Sequence, residues 1–242
     1  FLMIRRPPRS TLFPTRRSSD LIRVFRALDP QLTLLAAAQD GARVHSGDTL
    51  LRIAGSARAI LAGERVALNF LARLSGIATL TRKFVDAVAG TQARIRDTRK
   101  TTPLHRALEK YAVRCGGGSN HRFGLFDAML IKENHIAAAG GVRQALRRAK
   151  EHVASLEPTT AHTTAYESFA PEPSAGATAA LPVQIEVRNE AELREALAAG
   201  ADFLLLDNQT PESARSLMAL ARRESPRCVV EISGGVTLAN VR

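Results

Sequence analysis

ADFLLLDNQTPESARSLMALARRESPRCVVEISGG, residues 201–235, reads as a strand, a helix and a second strand in direct succession. ADFLLLDN (201–208) is a short apolar run that stops at an acid and an amide. CVVEISGG (228–235) is another, stopping at a serine and two glycines. The helix between them marks its own start, with Thr210 at the N-cap and Pro211 at the first helical position. Strands that alternate with helices of this length build parallel βα units.

The same rhythm runs upstream. Strand candidates are PVQIEVRN (182–189), FDAMLIKEN (126–134) and ARIRDT (93–98), separated by the helical patterns LHRALEKYAVR, GVRQALRRAKEHV and EAELREALAAG. The fold class is therefore α/β, with the parallel units spanning residues 91–242 and the chain ending as a further helix begins, so a complete barrel needs strand material beyond Arg242. Residues 154–181, rich in Thr, Ala, Pro and Ser and without a period, read as a solvated loop inserted in that domain. Residues 22–90 read as a smaller α/β segment. QDGARVHSGDTLLRIAG (39–55) holds turns at Asp40-Gly41 and Ser46-Gly47-Asp48 before the strand LLRIAG. GERVALNFLARLSGIATLTRKFVDAVAG (63–90) predicts a long helix stopped at Gly90, with Val66, Phe70, Leu74, Ile77, Leu80, Phe84 and Val88 as its buried stripe.

The composition, 45% hydrophobic and 24% charged over 242 residues, is that of a globular chain with room for a sizeable core and two domains. No apolar run reaches the roughly 18–20 residues of a membrane span. Two cysteines, Cys115 and Cys228, form neither a disulfide framework nor a zinc-ligand pattern, which fits a reducing, cytoplasmic setting. Of the +11 formal charge, +4 lies in FLMIRRPPRSTLFPTRRSSDL (1–21), five Arg against one Asp, leaving +7 elsewhere. That opening shows neither helical nor strand periodicity and resembles a translated sequencing adaptor; a transit peptide is the alternative. It is set aside from the fold. The residual charge suits anionic small molecules as well as nucleic acid, but with 5% aromatics and no Trp a base-stacking platform is poorly supplied.

Every strand candidate ends on polar groups: Arg99 and Lys100, Lys132 and Asn134, Glu186, Asp207 and Asn208, Ser233 before Gly234-Gly235. Taken singly each is a solvated turn; five in succession favour a shared site at the carboxyl ends of the strands. Lys132 interrupts the run AMLI and either reaches the rim or meets an anion. Glu186, on the same strand face as Gln184, needs a cation or metal partner, and with Asp207 it could hold Mg²⁺; pairing of each acid with an Arg or Lys is the alternative. RCGGGSNHRFG (114–124) brings three glycines whose N–H groups could approach an anion, beside His121 and Arg122. ISGGV (232–236) leads toward a helix N-terminus suited to phosphate, or is simply a tight turn. Arg65, near the start of the long helix, reads alone as surface. No Ser-His-Asp order, Walker A loop or HExxH zinc motif occurs.

ERVALNFLARLSGIATLT, DTRKTTP, LEKYAVRCGGGSNHRFGL, LIKENHI, IEVRN, LLLDN and EISGGV, in this order, resemble the quinolinate phosphoribosyltransferase family. The resemblance covers roughly residues 22–242. It implies an open seven-stranded α/β barrel, incomplete here at the C-terminus, beside a truncated N-terminal α/β sandwich domain, and a homodimer with shared active sites. It implies transfer of phosphoribosyl from phosphoribosyl pyrophosphate to quinolinate, with release of pyrophosphate and carbon dioxide and formation of nicotinate mononucleotide for NAD synthesis. By resemblance, Arg99, His121, Arg122 and Lys132 hold the quinolinate carboxylates, and Lys100 and Lys132 lie toward the phosphates. Glu186 and Asp207 lie near the ribose and Mg²⁺, Ser233 and Gly234 form the 5′-phosphate loop, and Arg65 crosses the dimer. Lys100, Lys132, Glu186 and Asp207 are the catalytic candidates.

The chain departs from the family pattern in places. Gln184 stands where an acid is frequent, LHRAL follows DTRKTTP where Gly-Leu-Arg is more familiar, the 154–181 stretch is long, and both ends look clipped. Three rivals are a same-fold enzyme for another heteroaromatic acid, a Schiff-base aldolase-like barrel on Lys132, and a basic nucleic-acid binder. Nicotinate in place of quinolinate, borohydride trapping, and salt-sensitive DNA binding after removal of residues 1–21 separate them.

Overall fold

Residues 2–5, 11–13, 19–156 and 181–242 are described by a computed structural model. The chain forms two compact units, one reaching to His121 and the other running from Arg122 to Val241.

In the first unit, β1 (Leu2–Arg5), β2 (Thr11–Phe13), α1 (Ser19–Arg26), β3 (Thr33–Ala37), β4 (Ala42–Val44) and β5 (Thr49–Ala54) precede the long α2 (Ala57–Ala87) and α3 (Arg106–Cys115). The strands pair antiparallel, in the order β1-β5-β3 and, separately, β2-β4. The opening segment set aside on sequence therefore supplies two strands. Strands of three and four residues offer too few alternations to register as a period. Phe25, Leu50, Leu51, Ile53, Ile60 and Leu71 are at the centre of this unit's core.

The long helix is real but starts earlier than expected, with the Ser56 side chain accepting from the Ala59 N–H at 3.4 Å. Its buried stripe is only partly the expected one: Leu74 and Val88 are buried as expected. Ala59, Ile60, Gly63, Ala67, Leu71, Leu74, Ala78 and Thr81 face inward, whereas Val66 and Leu80 lie on the exposed side. The small residues at 59, 63, 67 and 78 let neighbours approach the helix closely, and that approach sets its inward face. ARIRDT does not become a strand. A single parallel bridge, Arg96 to Ser119, is formed there, flanked by Ser119 N–H to Ile95 O (2.8 Å) and Asp97 N–H to Ser119 O (3.2 Å). The next bond is taken over by a side chain: His121 N–H donates to Asp97 Oδ1 at 2.7 Å, so the ladder stops.

The second unit follows the alternation read from sequence. β6 (Met129–Ile131), α4 (Glu133–Ala139), α5 (Val142–Ser155), β7 (Val183–Val187), α6 (Glu190–Ala198), β8 (Phe203–Asp207), α7 (Pro211–Glu224) and β9 (Val229–Ser233) build a four-stranded parallel sheet in the order β6-β7-β8-β9. α5 carries through Ser155, and residues 157–180 of the expected 154–181 loop lie outside the described residues. Thr210 caps α7 by accepting from Ser213 N–H (3.2 Å), with Pro211 in the first turn, and Asn189 caps α6 by accepting from Glu192 N–H (2.9 Å). Ile131, Ile185, Val187, Leu204 and Leu206 point to one side of the sheet and pack against Leu146, Leu193 and Leu217 from the helices. Each such side chain contributes about 1.5–3 kcal/mol on burial. Because strand side chains alternate, the other face is left to Gln184, Glu186, Leu205, Asp207, Glu231 and Ser233.

Candidate active site

The polar face of the second unit collects five of the sequence-predicted residues. Lys132 directly follows β6, Glu186 is next to last in β7, Asp207 ends β8 and Ser233 ends β9, with Gly234 after it. Register places them level: Ile131 pairs with Ile185, Glu186 with Leu205, and Asp207 with Ser233. The Lys132 ammonium lies 3.8 Å from Glu186 Oε2; the lysine side chain is 51% exposed and the carboxylate 13%. Glu186 thus has a cationic side chain of the same unit as its neighbour. Lys132 N–H donates to His135 Nδ1 (2.9 Å), fixing the start of α4. A lysine this exposed lacks the apolar enclosure that makes a Schiff-base nucleophile.

Asp207 is engaged by Ser233, whose Oγ donates to Oδ1, and by Asn208, whose Nδ2 donates to Oδ2 at 2.8 Å. Asn208 N–H donates to Ser233 O (2.8 Å), and Asn208 adopts φ 54, a left-handed conformation that asparagine tolerates better than most residues. Gly234 sits against this corner at φ 78, where a Cβ would lie 2.1 Å from Asn208 Oδ1. Only glycine fits, so the tight turn and the open backbone after β9 are the same feature.

A face with two carboxylates raises the question of a metal. Among the described residues no group of three or more His, Cys, Asp or Glu could hold an ion. Glu186 and Asp207 on adjacent strands suit a hard cation that brings most of its ligands as water and phosphate oxygens, not one caged by protein. A third acid was missed on sequence: Glu231 of β9, on the same face, accepts from Gln184 Nε2 at 3.2 Å. Its place inside EISGG, two residues before Ser233, carries the same face signal as Glu186. Arg122 also belongs to this unit, and its Nη1 donates to Ala128 O (3.1 Å).

Arg99, Lys100, His121 and Arg65 belong to the first unit. The DTRKTT segment is held from behind. Arg106 donates to Arg99 O (3.3 Å) and Thr101 Oγ1 (3.2 Å). Arg73 of α2 donates through Nε to Glu109 Oε1 (2.9 Å) and also reaches Thr102 Oγ1, while Thr102 N–H donates to Glu109 Oε2 (3.2 Å). Burial works against the Glu109 charge, but these bonds from Arg73 and Thr102 outweigh it and keep its pKa below the ordinary glutamate value. Arg99 Nε is buried with no partner among the described residues, so the guanidinium keeps bonding capacity unused. The Lys100 side chain is exposed, and so is that of Arg65, which makes no hydrogen bond or ion pair among the described residues.

The glycine run has a different purpose from the anion cradle it suggested. A Cβ on Gly116 would lie 2.6 Å from Ala78 O and Thr81 Cβ, and one on Gly118 would lie 2.8 Å from Thr81 Cγ2 and Val113 Cγ1. These glycines let the loop lie against α2. Cys115 beside them is no nucleophile: burial pushes its thiol up to about 11. Its neighbour Tyr111, pushed up by burial and by Asp40, donates to Asp40 Oδ2 at 2.7 Å.

Comparison with known proteins completes the picture. Residues 19–75 match the family model for the quinolinate phosphoribosyl transferase N-terminal domain, and residues 77–177 and 161–242 match that for its C-terminal domain. The chain belongs to the quinolinate phosphoribosyl transferase family. It is 40% identical over 217 residues to a probable nicotinate-nucleotide pyrophosphorylase (carboxylating) of Bacillus subtilis, covering 90% of this chain and 66% of that one. It is 44% identical over 209 residues to the nicotinate-nucleotide pyrophosphorylase of Mycobacterium leprae, covering 86% and 64%. The solved structure of nicotinate-nucleotide pyrophosphorylase from Francisella tularensis superposes with a TM-score of 0.81 at 34% identity, over 99% of this chain and 74% of that one. The chain thus spans about two thirds of the curated relatives it matches. Within the family, the parallel sheet described above belongs to the α/β barrel, and β3, β4 and β5 fall in the N-terminal domain.

Proposed function

We propose that the protein transfers phosphoribosyl from phosphoribosyl pyrophosphate to quinolinate with decarboxylation, giving nicotinate mononucleotide for NAD synthesis. The observation that carries the reading is the strand-end constellation of Lys132, Glu186, Asp207, Ser233 and Gly234 opposite the hydrophobic core, in a chain of this family. In the reaction, the pyridine nitrogen forms a bond to C1 of the ribose as the bond from C1 to the pyrophosphate oxygen breaks. The bond from ring carbon 2 to its carboxylate then breaks, carbon dioxide leaves, and the electron pair stays on carbon 2 beside the cationic nitrogen until it takes up a proton from solvent to form the new C–H bond. Cationic character on the ribose is what a nearby fixed carboxylate stabilises, the part given to Glu186 and Asp207.

Arg99, His121, Arg122 and Lys132 are assigned to the two carboxylates of quinolinate. Lys100 and Lys132 are assigned to the phosphates, and the backbone at Ser233 and Gly234 to the 5′-phosphate. Glu186 and Asp207 are the residues that would hold Mg²⁺, which would supply positive charge for the departing pyrophosphate. Arg65, solvent-facing on α2, is assigned to the site of a second copy of the chain in a homodimer. The described residues hold no helix long and apolar enough to cross a membrane, and the proposed setting is the cytoplasm, with no nucleic-acid partner.

The deciding experiment uses full-length protein with quinolinate labelled in its 2-carboxylate. Labelled carbon dioxide, pyrophosphate and mononucleotide should appear in equal amounts, and nicotinate in place of quinolinate should give no product. Equal use of nicotinate would move the protein to a same-fold enzyme for another heteroaromatic acid.

A further inference from the structure

His121 is gripped from both sides of its own peptide by one buried ion pair. Lys110 of α3 has a side chain only 2% exposed, and its Nζ lies 2.6 Å from Asp97 Oδ1, itself in a 9% exposed side chain. Asp97 Oδ1 accepts the His121 N–H at 2.7 Å, and Lys110 Nζ donates to His121 O at 2.9 Å. Asn120 closes the arrangement by donating from Nδ2 to Asp97 Oδ2 (2.5 Å) and to Lys110 O (2.9 Å). Such a pair is a poor device for stability alone, since apolar side chains of similar volume serve a core as well. What it does that apolar groups cannot is bind a donor and an acceptor of the same residue, which fixes both backbone torsions at His121.

We infer that Asp97 and Lys110 are positioning residues for quinolinate recognition: the pair holds the His121 peptide rigid, so that the imidazole and the peptide leading to Arg122 are set before substrate arrives. The inference rests on the proposed function for the identity of the ligand, but the fixation of His121 is independent of it. Neither residue is placed against substrate. Their effect passes through the backbone of a residue that is.

Asp97→Asn in the full-length protein separates positioning from general stability. An amide in place of the carboxylate presents a donor to Lys110 or Asn120, which already donate there, so the grip on His121 loosens while side-chain volume is kept. The expected result is a rise of tenfold or more in KM for quinolinate, with KM for phosphoribosyl pyrophosphate within twofold, and a tenfold or greater rise in the hydrogen-exchange rate of the His121 amide. If Asp97→Asn does not fold, Asp97→Leu combined with Lys110→Met leaves no buried charge unpaired, and should show the same quinolinate defect and the same fast amide. A lower melting temperature with both the quinolinate KM and the His121 exchange rate unchanged would overturn the inference. Wild-type protein inactive on quinolinate would sink the functional reading alone, and the exchange rate would still decide whether the pair fixes His121.

Discussion

The ammonium of Lys132 and the carboxylate of Glu186 meet at 3.8 Å across two adjacent parallel strands, on the side of the sheet turned away from its core. Each is the other's counter-charge, so neither can be changed alone without altering the field of the site. Lys132→Met and Glu186→Gln should each lower kcat by about 10²–10³, the range for removing one fixed electrostatic group. The double variant should lose less than the product of the two single losses, because the residues are in contact. Steady-state kinetics of the three variants tests this, and simple multiplication of the losses would show that the residues act separately.

Arg99 Nε is buried and has no partner among the described residues, so its guanidinium has bonding capacity to spare. Arg99→Ala should weaken quinolinate by about a hundredfold or more, as truncating one member of a charged hydrogen-bonded pair does. Phosphoribosyl pyrophosphate affinity should stay within about threefold. Calorimetric titration of each substrate separately reads both numbers, and equal loss of both would misplace Arg99.

Two glycines give opposite stability predictions. Gly116→Ala drives a methyl to 2.6 Å from Ala78 O, a backbone atom that cannot swing aside. Overpacking of this kind costs about 1–3 kcal/mol, or several degrees of Tm. Gly76→Ala lies within α2 itself, on its exposed side, where a Cβ meets nothing within 4 Å. It should raise stability by about 0.5–1 kcal/mol, the helix penalty of glycine against alanine. Thermal unfolding of both variants decides the matter.

Glu109 sets an acid limb of stability. Its pKa in the folded protein is below the ordinary 4.5, so the folded state holds its carboxylate more tightly ionised than the unfolded chain does. The stabilisation is fully present above 4.5 and is lost as pH falls through that value toward the lowered one. Glu109→Gln should therefore flatten the dependence of the urea midpoint on pH below the ordinary glutamate range, at the cost of a lower midpoint at neutral pH. An unchanged acid limb would show that other carboxylates carry it.

The sequence displayed the second unit well because its signals are local. Thr210, Pro211 and Asn189 mark helix starts within a few residues, and period-two alternation places Glu186 and Asp207 on the face away from Ile185 and Leu206. Other features depend on what lies across space. The inward side of α2 is marked by alanine and glycine, which a search for large apolar residues passes over. The glycines at 116 and 118 suggested a ligand because their contact, Thr81, is far away in the chain. Asp97, Lys110, Glu109 and Arg73 gave no pattern at all, since a charged side chain reads as solvated until its distant partner is known.

The α2 helix runs unbroken for 31 residues, about 46 Å at 1.5 Å per residue. Ile60 and Leu71 in its first half belong to the core of the antiparallel strands, while Ala78 and Thr81 further on bear against the glycine loop. It therefore works as a ruler and a protractor at once. One residue gained or lost between Leu71 and Ala78 would swing the far end through about 100°, so this interval tolerates exchange of side chains but no change of length.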